Sequence, residues 1–157
     1  MDEFHALYDR YAPDVFRFSL YLCGNRHDAE DITSETFVRV WTAPGEIRMA
    51  TVKGYLLTVA RNLFLHGLRR KSRQVPLDME LRDPAAGPHA QVEVDSELQA
   101  VIARLQELPE VDRAALIMRA AGEMSYEEIA RALGISLASV KVKIHRARLK
   151  LADIPGV

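Results

Sequence analysis

Residues 125–151 read SYEEIARALGISLASVKVKIHRARLKL, and this stretch decides the architecture. Ser125 followed three residues later by Glu128 is a capping box: the serine hydroxyl takes a free amide at the helix start and the carboxylate returns to the cap. Gly134 supplies the positive φ of a tight turn, and Ser136 caps a second helix. Ala130 is small enough to let the two helices approach closely. Ile129, Leu133, Ile135, Val140 and Ile144 are spaced to fill the wedge between them. From Ser139 to Lys150 the second helix holds Lys141, Lys143, Arg146, Arg148 and Lys150 with no acid. A capped helix, a glycine turn and a basic second helix make up a helix-turn-helix, in which the second helix enters the major groove of a DNA duplex.

The second helix divides by face. Val140, Ile144, Ala147 and Leu151 recur at i, i+4, i+7 and i+11 and point inward. Ser139, Val142, Lys143 and Arg146 point outward, with Lys141 and His145 flanking. Ser136 and Ser139, short and polar near the helix start, suit base edges, whereas the longer cations suit phosphates. A single unit of this kind binds DNA mostly without sequence preference, at dissociation constants of ~10⁻⁴–10⁻⁶ M. It needs a second attachment to occupy a site. An αα-hairpin with a solvated basic face is the plainer alternative, and the coincidence of cap, turn and charge argues against it.

That basic helix sits in a chain of 157 residues with a formal net charge of −1, so compensating acid must lie elsewhere. Apolar content of 48% and charged content of 27% are ordinary for a folded soluble domain and exclude general disorder. The single cysteine, Cys23, allows no internal disulfide and reads as a small buried hydrophobe in a reducing compartment. No apolar run approaches the ~18 residues of a membrane span, and the acidic start MDEFHALYDRY lacks a signal-peptide core. A cytoplasmic protein with no direct membrane insertion is expected.

Residues 72–95, SRQVPLDMELRDPAAGPHAQVEVD, carry Pro76, Pro84, Gly87 and Pro88 and no sustained helical period, which is the composition of a flexible linker. The chain is thus expected to form two small helical domains, at 1–73 and 96–157, with 74–95 between them. Domains this small are marginal alone, so partner binding should supplement their stability. Both halves show 3.6-residue spacing and neither shows strand alternation, giving an all-α fold. Helices are expected at 2–11, 13–23, 28–41, 52–73, 96–107, 110–121, 125–133 and 136–152, with Pro13 opening the second. Inward stripes run through Ala29, Ile32, Thr33, Thr36, Phe37 and Val40, and through Val52, Leu56, Val59, Ala60, Leu63 and Gly67.

The acid lies on the first half. In DAEDITSETFVRVW, residues 28–41, Asp28, Asp31, Glu35 and Val38 share one outward stripe at i, i+3, i+7 and i+10. The following helix inverts the sign: RNLFLHGLRRKSR, residues 61–73, has five cations and no acid. Asn62, His66, Arg69, Arg70 and Arg73 share its outward side.

With these motifs in order, DAEDITSETFVRVW, YLLTVARNLFLHGLRR, LQELPEVDRAALIMR and SYEEIARALGISLASVKVKIHRAR, the chain resembles the extracytoplasmic-function (ECF) sigma factors of the bacterial sigma-70 family. The resemblance covers both halves and implies a helical bundle like sigma domain two followed by a helix-turn-helix domain like sigma domain four. It implies a specificity subunit that binds core RNA polymerase and directs it to promoters, including recognition and melting of the minus-10 element. Asp28, Asp31, Glu35 and Val38 would dock on the clamp helices of the largest polymerase subunit. Arg61, Asn62, His66, Arg69, Arg70 and Arg73 would face the minus-10 element, and the loop 42–50 would help hold an extruded base, whose edges are readable once unstacked. Ser136, Ser139, Lys141, Val142, Lys143, His145 and Arg146 would read the minus-35 element as duplex. The linker, with Asp78, Glu80, Asp83, Glu93 and Asp95, would thread the polymerase channel, and an anti-sigma factor is an expected partner.

Two positions depart from the family pattern: Tyr55 stands where Trp is common, and His66 where an acid is common. Tyr keeps most of the packing, whereas His66 bears on which minus-10 sequence is read. No enzyme is indicated. Cys23 and His27 are at i, i+4 with no second pair at metal-ligand spacing, and no phosphate loop or nucleophile elbow occurs. No catalytic residue, metal or cofactor is expected. A self-sufficient helix-turn-helix repressor or activator is the alternative, with residues 1–71 as a dimerisation domain, but it leaves the acidic stripe and the first basic helix unrelated. A protein-binding adaptor would leave both basic helices without a purpose.

Overall fold

The computed structural model describes residues 2–42, 51–73 and 96–152, with Asp2 and residues 68–73 as backbone only. The expectations for the loop after Thr42 and for the linker 74–95 lie outside the described residues. Among those described there are seven helices and no strand: α1 Asp2–Cys23, α2 Arg26–Thr42, α3 Val52–Arg73, α4 Ser96–Gln106, α5 Glu110–Ala120, α6 Tyr126–Leu133 and α7 Leu137–Lys150.

The chain does not break at Pro13, as the spacing suggested; α1 runs through it. Pro13 removes one amide from the helix ladder, but both it and Asp9, whose carbonyl loses that bond, are exposed residues. Val15, Phe18 and Leu22 continue the inward face beyond the proline and are 0–1% exposed. In α2 the expected stripe holds: Ala29, Thr33, Thr36 and Phe37 are buried, and each threonine hydroxyl donates to the carbonyl four residues back at 2.7 Å. Those bonds let a polar side chain sit inside without an orphaned donor.

Helix α3 differs more. Leu56 and Ala60 are buried as expected, but so are Leu57, Arg61 and Phe64, while Val59, Leu63 and Gly67 are only half-buried. The cause is a second covering layer. Helices α1, α2 and α3 pack on one another, α5, α6 and α7 form a second group, and across the two α1 packs against α5 while α3 packs against α5 and α6. One core joins the two groups, with Val15, Phe18, Leu56 and Leu57 continuous with Leu105, Met118, Met124 and Ile129. Helix α4 closes a smaller cluster in which Ile102 meets Leu20 and Ala29. The two halves therefore stabilise each other in this arrangement, a source of stability that the marginal size of each half did not reveal.

Polar bonds stitch the same seam. Gln106 Nε2 donates to the Tyr21 carbonyl at 2.9 Å, and the Thr51 hydroxyl donates to a Glu128 carboxylate oxygen at 3.2 Å. Gly54 makes room for that carboxylate, since a Cβ there would overlap it. Glu128 thus completes only half of the expected capping box. Its amide donates to Ser125 Oγ at 3.1 Å, but its side chain is turned across the seam and buried.

Candidate nucleic-acid interface

The helix-turn-helix forms as its caps require. Ser125 Oγ caps α6, Gly134 ends it at φ 67°, and Ser136 Oγ accepts from the Ser139 amide at 3.1 Å to start α7. Val140, Ile144 and Ala147 of α7 are buried, and Leu151 follows them inward. This fixes which residues face out: Lys141, Val142, His145 and Arg146 are exposed, and Ser139 and Lys143 are partly so. Val142 is 59% exposed, an apolar side chain of the kind that can meet a thymine methyl.

Two of the cations are not free. Arg146 Nε and Nη2 donate to the two carboxylate oxygens of Asp112 at 2.8 and 3.0 Å, and Lys143 Nζ lies 3.9 Å from the same carboxylate. Asp112 sits in the first turn of α5 with its side chain 2% exposed. The hydrogen bond and then the charge of Asp112 hold the Arg146 guanidinium above its ordinary pKa, so it is cationic under all relevant conditions.

On the first half, Asp31, Glu35 and Val38 are exposed and Asp28 is half-buried, so the expected stripe exists. His27 Nε2 lies 3.6 Å from Asp31. The stripe borders a groove of about 590 Å³ between α2 and α3, lined by Asp28, Asp31, Glu35, Arg39, Leu63 and His66. His66 therefore shares a groove with the acids. Asn62 is exposed, and the His66 ring nitrogen Nδ1 lies 2.7 Å from its carbonyl oxygen, one turn apart on α3. The backbones of Arg69, Arg70 and Arg73 continue α3; their side chains lie outside the described residues.

Arg61, expected among the minus-10-facing residues of α3, is 8% exposed in this packed arrangement and faces the other half. Its Nε and Nη2 donate to both oxygens of Glu110, at 3.0 and 2.7 Å. A helix with five cations gives no sign of which one an acid 49 positions away will take. Beside it, Arg113 is buried over the Phe64 ring, and desolvation lowers its pKa from the ordinary arginine value.

A second surface escaped the sequence. Phe4, Tyr8, Phe37, Val38 and Trp41 line an apolar groove of about 400 Å³ between α1 and α2, with Phe4 stacked edge-on against Trp41 at 4.6 Å. The signal was present as two aromatic pairs at i, i+4, Phe4 with Tyr8 and Phe37 with Trp41. Val38, 51% exposed, joins this groove to the acidic stripe. Among the described residues, no group of histidine, cysteine and acidic side chains could hold a metal, and no helix is long and apolar enough to cross a membrane.

A family profile described as Sigma-70 region 2 matches residues 7–74, and one described as Sigma-70, region 4 matches residues 98–151. The ECF RNA polymerase sigma factor SigE of Mycolicibacterium smegmatis is 39% identical over 159 residues, covering 98% of this chain and 62% of the relative. The chain therefore spans less than two thirds of that relative's length. The ECF RNA polymerase sigma factor SigM of Bacillus subtilis is 32% identical over 150 residues, covering 92% of this chain and 90% of the relative. Among solved structures, the sigma factor RpoE in complex with the anti-sigma factor NepR, from Bartonella quintana, superposes with a TM-score of 0.80 at 25% identity, over 100% of this chain and 99% of that one.

Proposed function

This chain belongs to the ECF sigma factors of RNA polymerase, and on that basis we propose that it binds core polymerase and directs promoter-specific initiation in the cytoplasm. It acts through binding energy and contributes no catalytic residue of its own. The observation that carries this is the pairing of an exposed acidic stripe on α2 with a capped, basic α7, each inside its matched region and in the family's order. Residues 1–73 serve core binding and the minus-10 element, 74–95 link, and 96–157 serve the minus-35 element. Asp28, Asp31, Glu35 and Val38 dock on the clamp helices, with the neighbouring aromatic groove as an apolar extension of that surface. Asn62, His66, Arg69, Arg70 and Arg73 face the minus-10 element, joined by Arg61 once it is released from Glu110. An anti-sigma factor is a further partner, by analogy with the RpoE–NepR complex.

The packed arrangement is not the one that occupies a promoter. Elements named minus-35 and minus-10 lie about 25 base pairs apart, or roughly 85 Å of duplex. A compact chain of this length has a radius of gyration of about 15 Å and cannot cover both. Arg61, in addition, cannot serve DNA while two of its nitrogens hold Glu110. The halves separate on polymerase, within the reach of the linker, whose 22 residues extend to at most about 75 Å.

Run-off transcription on genomic fragments, with core polymerase alone and with the chain added, tests the proposal. New start sites that depend on the chain are expected, with specific duplex binding only when core is present. Tight, sequence-specific binding by the lone chain would instead identify a self-sufficient repressor or activator.

A further inference from the structure

We propose that Asp112 is a positioning residue for duplex binding, holding the Arg146 guanidinium side-on so that its free end grips one backbone phosphate. This rests on the proposed docking of α7 on the minus-35 duplex and adds a residue outside the helix that touches DNA.

The chemistry follows from the arginine fork. A guanidinium has five N–H donors in one plane. Asp112 takes one from Nε and one from Nη2, at 2.8 and 3.0 Å. Three remain, and two of them, one on Nη1 and one on Nη2, point parallel from the end of the group. That end-on pair matches two non-bridging phosphate oxygens. Arg146 has its side chain 48% exposed while its carboxylate partner is 2% exposed, so the anchor is inside the protein and the working end outside. An exposed arginine otherwise loses considerable side-chain entropy on binding; this one is already ordered. Arg146 is the tenth of the 14 residues of α7. Base contacts concentrate at the start of a recognition helix, so a phosphate, rather than a base edge, is its partner. Lys143, 3.9 Å from the same carboxylate, is oriented by it as a second, weaker anchor point.

Charge counting alone predicts the opposite of positioning, which makes the proposal testable by sign. Removing the negative charge of Asp112 next to a DNA-binding face should strengthen DNA binding if electrostatics alone mattered. Positioning requires it to weaken.

The experiment measures binding of the holoenzyme to a duplex promoter selected with it from a random pool, between 50 and 200 mM salt, for wild type, Asp112→Asn, Arg146→Lys, Arg146→Ala and Lys141→Ala. Asp112→Asn is expected to weaken binding about five- to tenfold, with no further loss when combined with Arg146→Ala. Arg146→Lys keeps the charge but not the fork, and should be nearly as damaging as Arg146→Ala. The loss in Arg146→Ala should be similar across promoter sequences and lower the salt slope by about 1. Tighter binding by Asp112→Asn, or near wild-type binding by Arg146→Lys, overturns the proposal. The second variant keeps it falsifiable should Asp112→Asn fail to fold. A loss confined to one base position would identify base reading and overturn the phosphate assignment. If neither Lys141→Ala nor Arg146→Ala changes affinity, the docking of α7 on duplex is wrong, a failure distinct from that of positioning.

Discussion

Glu110 is the residue whose removal tests most directly whether the two halves hold each other closed. Its carboxylate pairs with both Nε and Nη2 of Arg61, and the two side chains are only 19% and 10% exposed. Breaking a fully buried pair costs about 3–5 kcal/mol, because one charge is left without a partner. Residual exposure here lets water reach both groups, so about 2–3 kcal/mol is the reasonable figure for Glu110→Ala. At ~1.4 kcal/mol per factor of ten, that shifts the ratio of closed to open chains by roughly 30- to 140-fold. Glu110→Lys, which sets two cations face to face, should shift it further. Small-angle scattering is the assay. The closed chain has an expected radius of gyration near 15 Å, and separated halves should raise it by about 5–8 Å while helical circular dichroism is retained. If the closed form persists in the alanine variant, its thermal midpoint should still fall by about 4–12 °C. Should Glu110→Lys match the wild type in both radius and midpoint, the Arg61–Glu110 pair does not hold the halves together.

Reversing Asp31 and Glu35 to Lys should weaken core binding by at least tenfold, measured by fluorescence anisotropy, with an unchanged dichroism spectrum because both residues are exposed. Asn62→Ala should reduce run-off transcription about ten- to a hundredfold on duplex templates. A smaller defect on a template with a pre-opened minus-10 bubble would assign it to melting, and an equal one to base capture. Ile144→Ala, at a site 1% exposed between α7 and its neighbours, should cost about 2–5 kcal/mol in urea unfolding. Gly134→Ala, at φ 67°, should cost about 1–2 kcal/mol and leave holoenzyme start sites unchanged if α7 keeps its seat.

Local signals were legible in the sequence wherever one short stretch carried its own physics. Ser125, Gly134 and Ser136 set the limits of two helices within twelve residues, and all three play the expected parts. The inward stripe of α2 was readable because only one side of that helix is covered. Helix α3 was not, because Leu57, Arg61 and Phe64 are buried by a layer that returns some 50 residues later in the chain. Periodicity reports that a face is apolar; it cannot report that a second, partly polar face will also be covered. The seats of Arg61 and Glu128 in this arrangement were illegible for the same reason, each being a charged side chain whose partner lies across the seam.

The two bidentate arginine pairs look alike in geometry but differ in what separating the halves does to them. Arg61 and Glu110 belong to different halves, so the pair lasts only while the halves are packed, and any promoter-bound form spanning about 85 Å must break it. Arg146 and Asp112 both belong to the second half, joining α7 to α5, so that pair survives separation unchanged. The first carboxylate therefore withholds an arginine from DNA until the chain opens, while the second keeps its arginine aimed before and after opening. The same charge pairing serves as a reversible restraint in one place and a permanent brace in the other. Topology decides which, and the amino-acid types at the four positions do not.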